Sequence, residues 1–108
     1  MPINQWSAKQ LQQRLQEENS SLELLDVREA HEYAYARIQG SRHIPLGQLP
    51  QRYDELDKTR EIIVICHHGV RSLQACLFLE SLGFSHLNNL QGGIDAWSVA
   101  CDPTVSRY

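Results

Sequence analysis

The chain has 108 residues, 42% hydrophobic and 21% charged, with a formal net charge of −3. That is the length of one domain with its own core, the composition of an ordinary globular chain, and the wrong sign for a surface that wraps nucleic acid. No apolar run approaches the ~20 residues that span a bilayer. Met1 to Ser7 lacks the basic-then-apolar pattern of a secretory leader, and three cysteines without a C-x-x-C pair fit a reducing compartment. One domain over residues 1–108, cytoplasmic, with no membrane or nucleic-acid partner, is the expectation.

Ser7 and Gln10 make a capping-box pattern ahead of Ala8, Leu11 and Leu15, whose spacing buries a narrow stripe of a surface helix. Leu22 to Leu25 reads as a short strand, Glu29 to Ala36 as a brief helix, and His43-Ile44 as an edge or short strand closed by Pro45. Leu46 to Leu56 is helical in pattern, with Pro50 marking its true start. Ile62-Ile63-Val64-Ile65, four β-branched residues in a row, predicts a central strand buried on both faces. Ser72 to Leu82 predicts a helix apolar nearly all round, capped by Gly83 in the left-handed conformation. His86 to Leu90 supplies another strand, and Gly92-Gly93 leads into a last helical turn, Ile94 to Trp97. The tail from Asp102 to Tyr108 is expected to fray. Strands alternating with helices predict an α/β fold on a parallel sheet.

The informative stretch is Cys66-His67-His68-Gly69-Val70-Arg71, between the central strand and the helix after it. Open α/β sheets bind ligands at the carboxyl ends of their strands, which is where Cys66 falls. Loop N–H groups and a helix N-terminus favour negative charge there, so a thiolate is the expected species. Gly69 allows the backbone to curl around the sulfur. Arg71 breaks a local rule, because the macrodipole disfavours a cation in a helix's first turn. Such breaks mark functional sites, and a cation beside a thiolate stabilises both it and an incoming anion. His67 and His68 add optional positive charge, with no individual role assigned.

Other reactive residues read more plainly. Cys76 lies mid-helix among Leu73, Leu77 and Leu79 and belongs to the core, while Cys101 is an incidental thiol near a loose end. Arg37, Arg42 and His43 read as solvated surface. A metal site from Cys66, His67, His68 and Cys76 is rejected because no pair has zinc-ligand spacing, and no cofactor is expected.

These segments together resemble the rhodanese-like sulfurtransferases in their single-domain form. Leu24 to Glu29 is similar to that family's first-strand motif, and His31-Glu32-Tyr33 continues it. Ile44-Pro45-Leu46 resembles the segment after the second strand, Cys66 to Ser72 the active loop, and Leu90 to Gly93 with Trp97 the C-terminal signature. Ala36 to Ser41 departs from the family's usual Gly-His-Ile-Pro-Gly-Ala. The resemblance implies one rhodanese-like domain, a small mainly parallel sheet flanked by helices on both faces. It also implies sulfur transfer through a Cys66 persulfide, with His67 to Arg71 as the substrate-binding loop and Asp26 with Arg28 buttressing it. The implied partners are a thiosulfate or persulfide donor and a thiol or cyanide acceptor. A protein acceptor fits the same residues, as a persulfide carrier would require. Cysteine phosphatases place arginine six positions after the nucleophile, whereas Arg71 follows Cys66 by five. Phosphatase or arsenate reductase activity and a silent docking domain therefore remain as lesser alternatives.

Overall fold

The computed structural model describes residues 3–17 and 21–108. Among them, five strands form one sheet: β1 (Asn4–Trp6), β2 (Glu23–Asp26), β3 (Arg42–His43), β4 (Ile62–Ile65) and β5 (Leu87–Leu90). All pair in parallel, in the order β1-β5-β4-β2-β3. The helices are α1 (Ala8–Leu15), α2 (Ala30–Tyr35), α3 (Leu49–Arg52), α4 (Val70–Ser81) and α5 (Gly93–Ala100).

The four β-branched residues of β4 are all buried, as a central strand requires. Because side chains alternate across a strand, β4 feeds two separate cores. Ile62 and Val64 pack with Leu25, Leu49, Ala75, Cys76 and Leu79, on the side covered by α3 and α4. Ile63 and Ile65 pack with Leu11, Leu24, Leu90, Ile94 and Trp97, on the side covered by α1 and α5. Helices thus cover both faces, and the carboxyl end of β4 opens directly into the turn that starts α4.

Local signals place most of these elements. Ser7 and Gln10 form the expected capping box, with Gln10 N–H donating to Ser7 Oγ at 3.1 Å and Ser7 N–H donating to Gln10 Oε1 at 2.7 Å. Pro50 lies in the first turn of α3, and Gly83 takes φ +97° after α4. The stretch around α3 is broken into short pieces, with 3-10 turns at Leu46–Gln48 and Tyr53–Glu55.

One strand is unforeseen, and three expectations need correction. The residues before α1 form an edge strand: Asn4, Gln5 and Trp6 are too few and too polar to announce one, and pairing with β5 supplies the order. α4 begins at Val70 rather than Ser72, because Gly69 at φ +105° serves as its cap and brings Val70 and Arg71 into the helix. α5 continues to Ala100, well past a single turn. The tail does not fray. Val105 is buried, its carbonyl accepts the Ser98 hydroxyl, and Arg107 Nε donates to Asp95 Oδ1 at 2.8 Å. Contacts with residues distant in sequence hold what local composition suggested was loose.

Candidate active site

Cys66 follows the last residue of β4 and is 1% exposed. Two polar groups reach its sulfur: Gly69 N–H donates at 3.0 Å, and the Ser72 hydroxyl oxygen lies 3.2 Å from Sγ. The turn is tight because its carbonyls face away from the sulfur and are held there. Ile94 N–H donates to the Cys66 carbonyl at 2.8 Å and Asp95 N–H to that of His67 at 3.2 Å. These are first-turn amides of α5, which have no partner within their own helix. One helix end therefore satisfies the outside of the loop while the start of α4 faces its inside.

Asn89 on β5 completes the support. Its side chain is 3% exposed; Nδ2 donates to the Gly69 carbonyl at 3.2 Å and to Gln5 Oε1 at 3.0 Å, and Oδ1 accepts the Ser72 hydroxyl. Both groups that touch the sulfur are thus tied to one amide. The Ser72 proton has two acceptors in reach, Asn89 Oδ1 and Sγ, so the hydroxyl can accept from a thiol or turn to a thiolate.

Arg71 is paired. Its Nη1 and Nη2 donate to the two carboxylate oxygens of Glu32 at 2.6 and 2.9 Å, a bidentate bridge from the first turn of α4 to α2. This explains how a cation is tolerated at a helix N-terminus: a carboxylate from another element compensates it. The Arg71 guanidinium holds the Glu32 carboxyl well below the usual carboxylate range; burial opposes this, and the Glu29 amide and Tyr108 hydroxyl add to it. Glu32 in turn raises Arg71, and an ionised Cys66 adds to that effect, which places the two charges within each other's field.

Asp26 and Arg28 are fully buried together, with Arg28 Nη2 2.8 Å from Asp26 Oδ2. Arg28 also donates to the carbonyls of Glu32 and Ala36, closing the end of α2, and to the Tyr108 hydroxyl at 2.9 Å. That hydroxyl donates onward to Glu32 Oε2 at 2.8 Å. The buried pair is thereby wired to Arg71.

His67 lies between the rings of His68 and Tyr108, at centroid distances of 3.9 Å on both sides. Burial, and to a lesser degree His68, pushes its pKa below the ordinary value; its Nε2 is buried without a partner among the described residues. His68 and Asp95 bring ligand-type atoms within 4.8 Å of it. Arg107 already holds Asp95. Val70 is 68% exposed, so only its backbone faces the loop's interior.

The remaining candidates are elsewhere. Cys76 packs in the core, its S–H 3.7 Å from the Asn88 carbonyl and its pKa pushed up to about 12 by burial. Arg42 pairs with Glu23 and Glu55, Arg37 lies over the Tyr33 ring, and His43 stacks on that ring while bonding the Arg28 carbonyl. None of the three converges on Cys66. Sequence reasoning missed the roles of Glu32, Ser72, Asn89, Gly93 and Tyr108. For Ser72 the signal was its place one residue after Arg71; for Tyr108 there was none.

The fold and loop define a class. The family model for the rhodanese-like domain matches residues 7–100, and the chain belongs to that family. A sulfurtransferase from Allochromatium vinosum is 35% identical over 96 residues, covering 89% of each chain. A thiosulfate sulfurtransferase, GlpE, from Actinobacillus pleuropneumoniae serotype 7 is 34% identical over 91 residues, 84% of each. The crystal structure of a rhodanese-like domain protein from Staphylococcus aureus superposes with a TM-score of 0.85 at 25% identity, covering 98% of this chain and 99% of that one. The family and these relatives support a role in sulfur transfer.

Proposed function

We propose that the protein is a thiosulfate-type sulfurtransferase that carries sulfane sulfur on Cys66. The observation that carries this reading is the Cys66 sulfur held between the Gly69 amide and the Ser72 hydroxyl, at the start of a helix and in the field of Arg71. That is a seat for a sulfur anion, formed before any donor arrives.

In the first half-reaction the Cys66 thiolate attacks the outer sulfur of thiosulfate. A Cys66 S–S bond forms, the donor's S–S bond breaks, and sulfite leaves with the electron pair. The persulfide's outer sulfur is now the anion. In the second half-reaction a cyanide or thiolate acceptor attacks that sulfur, and Cys66 departs as the thiolate it was at the start. Charge on the enzyme stays at one anion throughout, so fixed donors need not reorganise. Cys66 is 1% exposed, which shields the persulfide from bulk water. Cys66 is the nucleophile, residues 67 to 71 form the binding loop, and Asp26 with Arg28 supports it. Free thiols at Cys66, Cys76 and Cys101 suit a reducing compartment, for which the cytoplasm is our assignment.

Intact-protein mass spectrometry after thiosulfate treatment tests the reading. Wild type is expected to gain one sulfur atom, lost again on adding cyanide, and Cys66→Ser is expected to gain none. Equal gain by the variant would overturn the assignment of Cys66. A gain that only a protein thiol removes would point to a persulfide carrier instead.

A further inference from the structure

We propose that Tyr108 is a positioning residue of this site, its ring clamping His67 of the active loop and its hydroxyl joining the Arg28 and Glu32–Arg71 charges into one chain. The inference deepens the sulfur-transfer reading and rests on it for its catalytic meaning.

Two independent sets of contacts meet in this side chain. The ring stacks on His67 at 3.9 Å with 9° between planes, and His67 in turn stacks on His68. Because His67 follows Cys66 directly, this stack restrains the loop from outside while the Ile94 and Asp95 amides restrain its carbonyls. The hydroxyl accepts from Arg28 Nη1 at 2.9 Å and donates to Glu32 Oε2 at 2.8 Å. A hydroxyl accepting from a cation is a stronger donor to an anion, so the two bonds reinforce each other. The result is a continuous series, Asp26, Arg28, Tyr108, Glu32, Arg71, running from the fully buried pair to the helix start beside Cys66.

Tyr108 retains the proton this role needs, since burial foremost raises its pKa above the ordinary phenol value. Tyr108 is 43% exposed, yet its hydroxyl serves two charged groups. Burial of apolar area alone does not account for such placement.

Glu32 shares its charge between Arg71 and Tyr108. Removing the hydroxyl leaves more uncompensated negative charge facing the loop and makes the site less welcoming to an anion. Removing the ring also frees His67. A residue that only pins the tail would alter stability and leave anion selectivity unchanged.

The test compares wild type, Tyr108→Phe, Tyr108→Ala and the tail variant Thr104→Ala, each confirmed folded by circular dichroism. The readout is the Cys66 alkylation rate by anionic iodoacetate relative to neutral iodoacetamide, followed by peptide mass spectrometry. Tyr108→Phe is expected to lower the ratio at least about twofold, as loss of a charge-assisted bond implies. Tyr108→Ala is expected to lower it further and to weaken the protein's binding of thiosulfate, seen as a KM rise larger than any fall in kcat. Thr104→Ala, which removes a hydroxyl bond to Asp102 within the tail and touches none of the loop's partners, is expected to match wild type. Unchanged ratios in both Tyr108 variants, or an equal change in Thr104→Ala, would overturn the proposal. The alkylation ratio needs no sulfur transfer, so a protein that transfers no sulfur but shows the expected ratios loses the functional reading and keeps Tyr108 as the positioning residue.

Discussion

Gly93 lies against His67 so closely that a Cβ added to it would sit 2.3 Å from the His67 carbonyl oxygen and 2.5 Å from that of Cys66. Gly93 also takes φ +63°, a conformation side chains rarely adopt. The start of α5 can therefore donate its amides to the loop only because no side chain stands between them. Gly93→Ala is expected to destabilise the protein by about 2–4 kcal/mol, through strain together with a backbone clash that has no flexible atom to move. Urea unfolding checks the stability, and the folded fraction should react more slowly at Cys66.

Glu32 makes stability depend on pH. Its folded pKa lies below the unfolded value of 4.5, so the stability it contributes is present above 4.5 and is lost as pH falls through the folded value. Wild type is expected to exceed Glu32→Gln in stability by about 1–3 kcal/mol at pH 7, the range for bonds to charged groups. The gap should narrow progressively below pH 4.5. Thermal melts of both proteins across that range measure it, and a constant gap would remove the ion pair as its source.

Arg71→Ala leaves the Glu32 carboxylate, whose side chain is only 10% exposed, without its bidentate partner. The expected outcome is a KM for thiosulfate raised by about tenfold or more, with stability reduced as well, since a partly buried charge loses its compensation. Steady-state kinetics against ionic strength check it; wild type should lose affinity with salt more steeply than the variant.

Asn89→Ala removes the one amide that ties Gly69 and Ser72 around the sulfur. Leaving the half-buried Gly69 carbonyl and the Ser72 hydroxyl without their partner is expected to cost about 1–3 kcal/mol. Ser72→Ala should slow attack by Cys66 with less loss of stability, because only the hydroxyl's bonds are lost. Stopped-flow rates of persulfide formation, set beside unfolding curves, separate the two.

Cys76, fully buried with its pKa near 12, is expected to resist thiol reagents at pH 8 until the protein unfolds. Time-resolved labelling in increasing urea reads this directly, and labelling of Cys76 in the native protein would contradict its place in the core.

Much of the fold was legible because its signals are local. Four consecutive β-branched residues announce β4, Ser7 with Gln10 announces α1, and the apolar run after Arg71 announces α4. The same holds for the centre of the site: a cysteine, a glycine and an arginine packed into one strand-to-helix turn. β5 is harder to recognise, since Asn88 and Asn89 are polar residues in a fully buried strand, and their bonds to the Ile62 carbonyl, Gly69 and Ser72 exist only once β4 and α4 are beside them. β1 has too few residues to carry a period and is ordered by its neighbour.

The sequence by itself determined the α/β pattern, the family and the identity of the loop that holds Cys66, because strand runs, helix caps and a short motif are properties of neighbouring residues. Only the tertiary structure decided what Arg71 faces, which groups hold the loop's carbonyls, and that the tail joins the site. Glu32 meets Arg71 across 39 positions and Tyr108 meets Arg28 across 80. Contacts at such separations leave no periodicity or spacing to read; they form when burial brings the elements together and each buried charge must find a partner.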